Sequence, residues 1–142
     1  MGAQVRQLDN RDLASVAALL ASLGYPVSSE AMRIRIAKLK AGAACTILVA
    51  ENDGSVVGLV AAQLSQPLEH DRPIARLIAL VVAERARRAG IGTRLIDAVE
   101  SWARDHGAGF VSLTTNNQRV GAHAFYRRAG YEETGRRFVK RF

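Results

Sequence analysis

The sequence predicts an α/β fold: a sheet with one parallel crossover in its middle and helices packed on it. Three observations carry this. Two segments near the N-terminus repeat apolar residues at helical spacing. The runs "TILVAE" and "VVGLVAAQLS" read as strands of a hairpin. The apolar run "IARLIALVV" leads through "RRAGIG" into "IGTRLIDAVESWARDH", whose pattern is again helical.

Each element has a local reason. Asp9 or Asn10 caps a first helix bearing Leu13, Val16, Ala17 and Leu20, and Gly24 ends it. Ser28 or Ser29 caps a second, from Glu30 to about Lys40, with Met32, Ile36 and Leu39 as its buried stripe. Between the hairpin strands, Asp53-Gly54 suits a tight turn. A polar loop with two prolines, "QPLEHDRP", precedes "IARLIALVV", which is too apolar for a half-exposed strand and reads as central. The next helix, from Ile91 to about Asp105, buries Ile91, Leu95, Ile96, Val99 and Trp102, with Gly107 as its stop. "FVSLTT" is a further strand, about Arg119 to Ala129 a short helix ending at Gly130, and "YEETGRRFVKRF" a closing two-strand ribbon.

Length and composition narrow the function classes. A chain of 142 residues reads as one domain, 1–142, large enough for a single core. With 49% hydrophobic and 23% charged residues it is ordinary globular material rather than disorder. No apolar run approaches the roughly 20 residues of a membrane span, and "MGAQVRQLDN" has no signal core. The expected location is the cytoplasm, with no membrane partner. One cysteine, Cys45, excludes an internal disulfide and a multi-cysteine metal site, and His70 with His123 lack a supporting ligand set, so no metal is expected. The net charge of +7 attracts polyanions, but the arginines are dispersed and aromatics are only 6% of the chain. A phosphorylated small ligand uses this charge better than a nucleic acid does.

"RRAGIG", Arg87 to Gly92, is where such a ligand would sit. The first N–H groups of a helix have no partners within it, and its macrodipole makes that end positive. Gly90 and Gly92 permit close backbone approach, while Arg87 and Arg88 add charge. The Rossmann fingerprint fails because its third glycine is Leu95, and no Gly-Lys-Ser/Thr of a Walker loop is present. A plain strand–helix turn with solvated arginines stays open on these residues alone.

Two stretches in register add to this. Arg87-Arg88-Ala89-Gly90-Ile91-Gly92 after an apolar strand resembles the acetyl-CoA loop of the GNAT family of N-acetyltransferases, Gln/Arg-x-x-Gly-x-Gly/Ala. Downstream, "TTNNQRVGAHAFYRRAGYEE" is similar to that family's next strand, its Asn-bearing loop and a helix carrying Phe-Tyr before Gly-aromatic. The resemblance covers nearly the whole chain and is strongest from Ile74 onward. Within the family it is most similar, weakly, to small members including aminoalkylphosphonate N-acetyltransferases. It implies a mixed, mostly antiparallel central sheet with a β-α-β acetyl-CoA-binding core flanked by helices.

The resemblance further implies acetyl transfer from acetyl-CoA, as co-substrate, to a primary amine by direct attack in a ternary complex. The backbone of Arg87, Arg88, Ala89, Gly90, Ile91, Gly92 and Thr93 would cradle the pyrophosphate. That of Leu80, Val81 and Val82 would pair with the pantetheine arm, with a strand N–H near Val82 facing the thioester oxygen. A bulge would splay this strand from the next, although "LVV" does not reveal one. Tyr126 would touch the cofactor and protonate the departing thiolate, and Asn117 or Asn116 would bind the arm, with a helix cap as the equal alternative for either. Family members often carry a base carboxylate at positions matching Arg76 or Ala79; this sequence has none there. Glu51, Glu69, His70, Asp71 and His123 are the remaining bases, alongside a water chain or an amine that binds neutral. Arg137 and Lys140 could favour an anionic acceptor or simply be solvated. A small amine is the expected acceptor and partner; a peptide acceptor or a non-catalytic acyl-CoA-binding regulatory module are the alternatives. A homodimer is implied by the resemblance only.

Overall fold

The fold is that of a computed structural model describing residues 2–115 and 120–142. Strand β1 spans Gln4–Gln7, and a single 3-10 turn at Asn10–Asp12 leads into α1, Leu13–Ser22. Helix α2 is Ser29–Ala41, followed by β2 at Cys45–Asn52, β3 at Ser55–Ser65 and β4 at Ile74–Val82. A second 3-10 turn, Glu84–Ala86, precedes α3 at Ile91–Asp105, then β5 at Val111–Ser112 and α4 at Val120–Arg128. The strands lie in the order β1-β2-β3-β4-β5. All neighbours are antiparallel except β4 and β5, which are parallel and joined across α3. The mixed, mostly antiparallel sheet is therefore as expected. The chain divides into two compact units, Met1–Ser112 and Leu113–Phe142.

Local chemistry accounts for the boundaries. The β2–β3 turn places Asp53 at φ 52 and Gly54 at φ 79, the paired positive angles of a type I′ hairpin. Asp9 accepts from the N–H of Arg11, while Asp12 accepts from that of Asp9, closing a capping box. Ser28 accepts from the N–H of Ala31 and starts α2. Helices α1, α3 and α4 each end in a Schellman motif around a left-handed glycine, Gly24, Gly107 and Gly130.

Inside the first unit, α2 and α3 cover opposite faces of the sheet. The side chain of Gln63 donates to the carbonyls of Leu39 and Ala43, so it points toward α2. A Cβ on Gly58 would lie 2.9 Å from Leu95 Cδ1 and 3.2 Å from Ile91 Cγ2, so that position faces α3. Five residues apart on one strand, the two positions point to opposite faces. Val16, Val49, Val60, Leu95, Ile96 and Val99 are the large side chains most completely enclosed.

Several expectations are corrected. A first strand was not expected in "QVRQ", because four residues with one aliphatic show no period. "FVSLTT" contributes only Val111–Ser112 to the sheet. "YEETGRRFVKRF" forms no strand, and Phe138, Val139 and Phe142 are exposed there; alternation supplies strand character but not the partner a ladder needs. Trp102 is half-buried, and Ala103 takes its place in the core. Strand β4 is not fully enclosed either: Ala75 and Val81 are buried but Ile78 is 48% exposed. Among the described residues, no helix is long and apolar enough to cross a membrane.

Candidate functional site

β4 is bound on its β5 side at only two positions, Ala75 with Val111 and Arg76 with Ser112. From Leu77 to Val82 only β3 is its ladder partner among the described residues. The β3–β4 register slips between Ala61, opposite Ala79, and Ala62, opposite Leu77, which makes Ile78 the extra residue of a bulge. The apolar sequence gave no sign of this bulge. Beyond it, the N–H of Ala83 donates to Val57 at 2.8 Å. The antiparallel alternation then directs the backbone groups of Ala79, Val81 and Ala83 toward β3, and those of Leu80 and Val82 outward. Among the described residues, the edge thus presents the N–H groups of Leu80 and Val82 and the Leu80 carbonyl to an extended ligand, while the Val82 carbonyl accepts from a side chain.

The edge runs into the Arg87–Gly92 loop. Arg87 is extended, with φ −66 and ψ 153, and its Nε donates to the Val82 carbonyl at 3.4 Å. Arg88 adopts φ 68 and Gly90 φ 77, both left-handed. For Arg88 that conformation costs on the order of 1 kcal/mol, so the loop holds a shape its sequence does not favour by itself. Gly90 is the N-cap of α3 and supplies no side-chain acceptor, unlike Ser28 at α2. The helical ladder begins with Arg94 donating to Gly90, and the first turn contains no acidic residue. The N–H groups of Ile91, Gly92 and Thr93 therefore lack intrahelical partners. Arg87, Arg88, Ala89 and Gly90 are exposed, whereas Ile91 is buried and pins the helix end to the sheet. An exposed, positively biased, uncapped helix start anchored on a rigid sheet fits a polyanion.

Glu51 is the penultimate residue of β2, and its Oε2 accepts from Arg6 Nε at 3.1 Å. The same guanidinium donates to both oxygens of Asp12, at 2.8 and 2.9 Å. Asp12 is only 3% exposed, and these bonds hold its carboxyl below the usual carboxylate range. Arg6 in turn is raised, chiefly by its bonds to Asp12 and Glu51. The triad borders a polar cleft of about 320 Å³ that Arg11, Ser55 and Arg85 also line. Glu51 thus already has a structural partner.

Glu69, His70 and Asp71 are exposed in the β3–β4 loop. That loop is braced: Gln66 Nε2 donates to the carbonyls of Pro67 and His70, and the Gly109 N–H donates to Pro73. The His70 ring meets Phe110 edge-on at 5.5 Å. His123 and Tyr126 stand three residues apart on α4, in the second unit. There the Tyr126 ring packs edge-on against Phe125 and Tyr131, at 5.3 and 5.8 Å. Asn116 and Asn117 lie outside the described residues. Arg137 and Lys140 are exposed.

The structure adds one arrangement that sequence spacing hid. Arg76 pairs with Gln63, and Ala79 with Ala61, so both take the face that Gln63 and Ala61 share, the α2 face. Three residues apart on a regular strand they would oppose each other; the Ile78 bulge brings them to one side. An arginine within an otherwise apolar strand was the only available signal.

The model of the acetyltransferase (GNAT) family matches residues 10–131. An aminoalkylphosphonate N-acetyltransferase of Salmonella typhimurium is 37% identical over 92 residues, which are 65% of this chain and 60% of that enzyme's length. The match therefore spans less than two thirds of that relative. An aminoglycoside N(6′)-acetyltransferase of Stenotrophomonas maltophilia is 27% identical over 93% of this chain and 88% of its own. A transcriptional regulator from Bacillus halodurans shares the fold with a TM-score of 0.89 at 21% identity, over 99% of both chains. An aminoglycoside N-acetyltransferase solved with CoA does so with a TM-score of 0.85 at 21% identity, over 100% of this chain and 97% of its own.

Proposed function

The chain belongs to the acetyltransferase (GNAT) family, and on that premise we propose that it is an acetyl-CoA-dependent N-acetyltransferase acting on the primary amine of a small molecule. The observation that carries this reading is the continuity of the open β4 edge with the uncapped start of α3. Curated relatives named for aminoalkylphosphonates and aminoglycosides support a small-molecule acceptor.

The residues fit such a donor. The N–H groups from Arg87 to Thr93 would hold the pyrophosphate, with the Arg87 and Arg88 side chains beside it. The outward backbone of Leu80 and Val82 would pair with the pantetheine arm as an added strand. When bound, acetyl-CoA supplies a thioester activated toward attack by an amine. One outward β4 N–H would donate to the oxygen that gains charge, a contribution of roughly 3 kcal/mol for a well-placed donor. Tyr126 would give its phenolic proton to the departing sulfur. Its ordinary pKa of about 10 exceeds that of a thiol, about 8.5, so positioning must favour the transfer. Glu51 and His123 remain proposals for the group accepting the amine proton, and the tie of Glu51 to Arg6 weighs against it.

The deciding experiment has two readings. Acetyl-CoA should raise the melting temperature, by about 2.7 kcal/mol of stabilisation at a hundredfold excess over Kd. Amines should then release CoA in proportion to acetylated product. Tight acetyl-CoA binding with no amine-dependent release would instead favour a non-catalytic acyl-CoA-binding module.

A further inference from the structure

Strand β4 carries a single charged side chain, Arg76. Arg76 is exposed, and among the described residues it has no ion-pair partner. It sits at the last position where β4 is paired on both sides, between Gln63 of β3 and Ser112 of β5. Paired residues share a sheet face, so its side chain lies on the α2 face with that of Gln63. Gln63 itself is occupied by the Leu39 and Ala43 carbonyls and does not compete for a ligand there. Ala79, brought to the same face by the Ile78 bulge, is small and leaves the strand accessible beside Arg76.

We propose that Arg76 binds an anionic oxygen group on the acceptor, making the preferred acceptor a short amine bearing a phosphonate, phosphate or carboxylate. This inference rests on the donor reading above. A pyrophosphate at Arg87–Thr93 would send the arm back along β4 from Val82 toward the bulge, which would put its reactive end on the Arg76 side of the strand. From Leu80 to Arg76 is four residues, roughly 13 Å at about 3.3 Å per residue, less what the bulge takes up. An extended arginine covers much of that span, and a few bonds between nitrogen and anion close it. The guanidinium fork suits a carboxylate or phosphonate in bidentate geometry. It also repels a polycation, so an acceptor carrying several ammonium groups is disfavoured at the same place.

The test compares steady-state kcat/KM for 2-aminoethylphosphonate and β-alanine with that for n-propylamine and an aminoglycoside, in wild type and in Arg76→Ala and Arg76→Lys. The wild-type enzyme should prefer the anionic amines by tenfold or more. In Arg76→Ala that preference should fall at least tenfold, through KM rather than kcat, and Arg76→Lys should restore part of it. The acetyl-CoA melting shift, read in parallel, should be retained by both variants. Wild-type turnover of n-propylamine or the aminoglycoside equal to that of the anionic amines would overturn the proposal and leave the donor reading standing. An unchanged preference in Arg76→Ala would do the same. Absence of the wild-type acetyl-CoA shift would overturn both.

Discussion

Asp12 and Arg6 illustrate how a residue's role depends on partners distant in sequence. Arg6 joins Asp12, six residues away, to Glu51, forty-five away. Neither spacing is visible as a motif, and so Glu51 read as a free carboxylate. The pH consequence has a definite sign. Bonding to Arg6 depresses the folded-state pKa of Asp12, so its contribution is complete above its unfolded value, about 3.9, and is lost as pH falls through the lower folded value. Asp12→Asn should therefore cost about 1–3 kcal/mol at neutral pH, read as a lower urea midpoint with unchanged slope. The deficit relative to wild type should shrink in acid. Two glycines separate backbone strain from crowding. No atom lies within 4 Å of a Cβ built on Gly90, so Gly90→Val acts through φ 77 and through the close approach a ligand needs. It should abolish the acetyl-CoA melting shift; intact affinity would defeat the cradle. Gly58→Ala instead meets Leu95 and Ile91, and should lower stability by about 1–3 kcal/mol. Tyr126→Phe should reduce turnover about 10²-fold with acetyl-CoA affinity little changed. An unchanged rate would remove Tyr126 from proton transfer.

Among elements, α3 was the most legible. Its apolar stripe recurs at helical spacing, and Ile91, Leu95, Ile96 and Val99 are all buried. Its exposed start distinguishes a ligand site from an ordinary helix end by opposite signs of effect. Thr93→Glu places a carboxylate in the first turn, which should stabilise the ligand-free protein by about 0.3–1 kcal/mol through the helix dipole. The same charge should weaken acetyl-CoA binding tenfold or more by repelling its pyrophosphate. Thermal melts with and without acetyl-CoA measure both, and a gain in each would contradict an anion site. Strand β1 and the bulge were illegible for different reasons. "QVRQ" is too short and polar to show a period, and becomes a strand because β2 offers an edge. The bulge is a mismatch in counting between two strands, which neither sequence contains alone. The C-terminal stretch failed in the opposite direction, with strand-like alternation but no ladder.

For the molecule as a whole, the charge of +7 sets long-range behaviour rather than fold. With Arg87 and Arg88 exposed at the proposed anion site, acetyl-CoA affinity should weaken as salt rises. Titrations between low and about 0.5 M NaCl measure this, and a salt-independent Kd would remove the arginines from binding. The family match spans both compact units.

By itself the sequence determined the α/β class, two candidates for each helix cap, the β2–β3 hairpin with its tight turn and the Gly-bearing loop at Arg87–Gly92. Each is a local matter of spacing, backbone angle or a side chain reaching its own neighbours. Only the tertiary structure decided that β4 has no ladder partner on its β5 side from Leu77 to Val82 among the described residues, that Glu51 belongs to Arg6, and that Arg76 and Ala79 share a face. Those facts depend on which strand lies beside which, and in what register. Register is settled by packing across the whole sheet, so no single segment could disclose it.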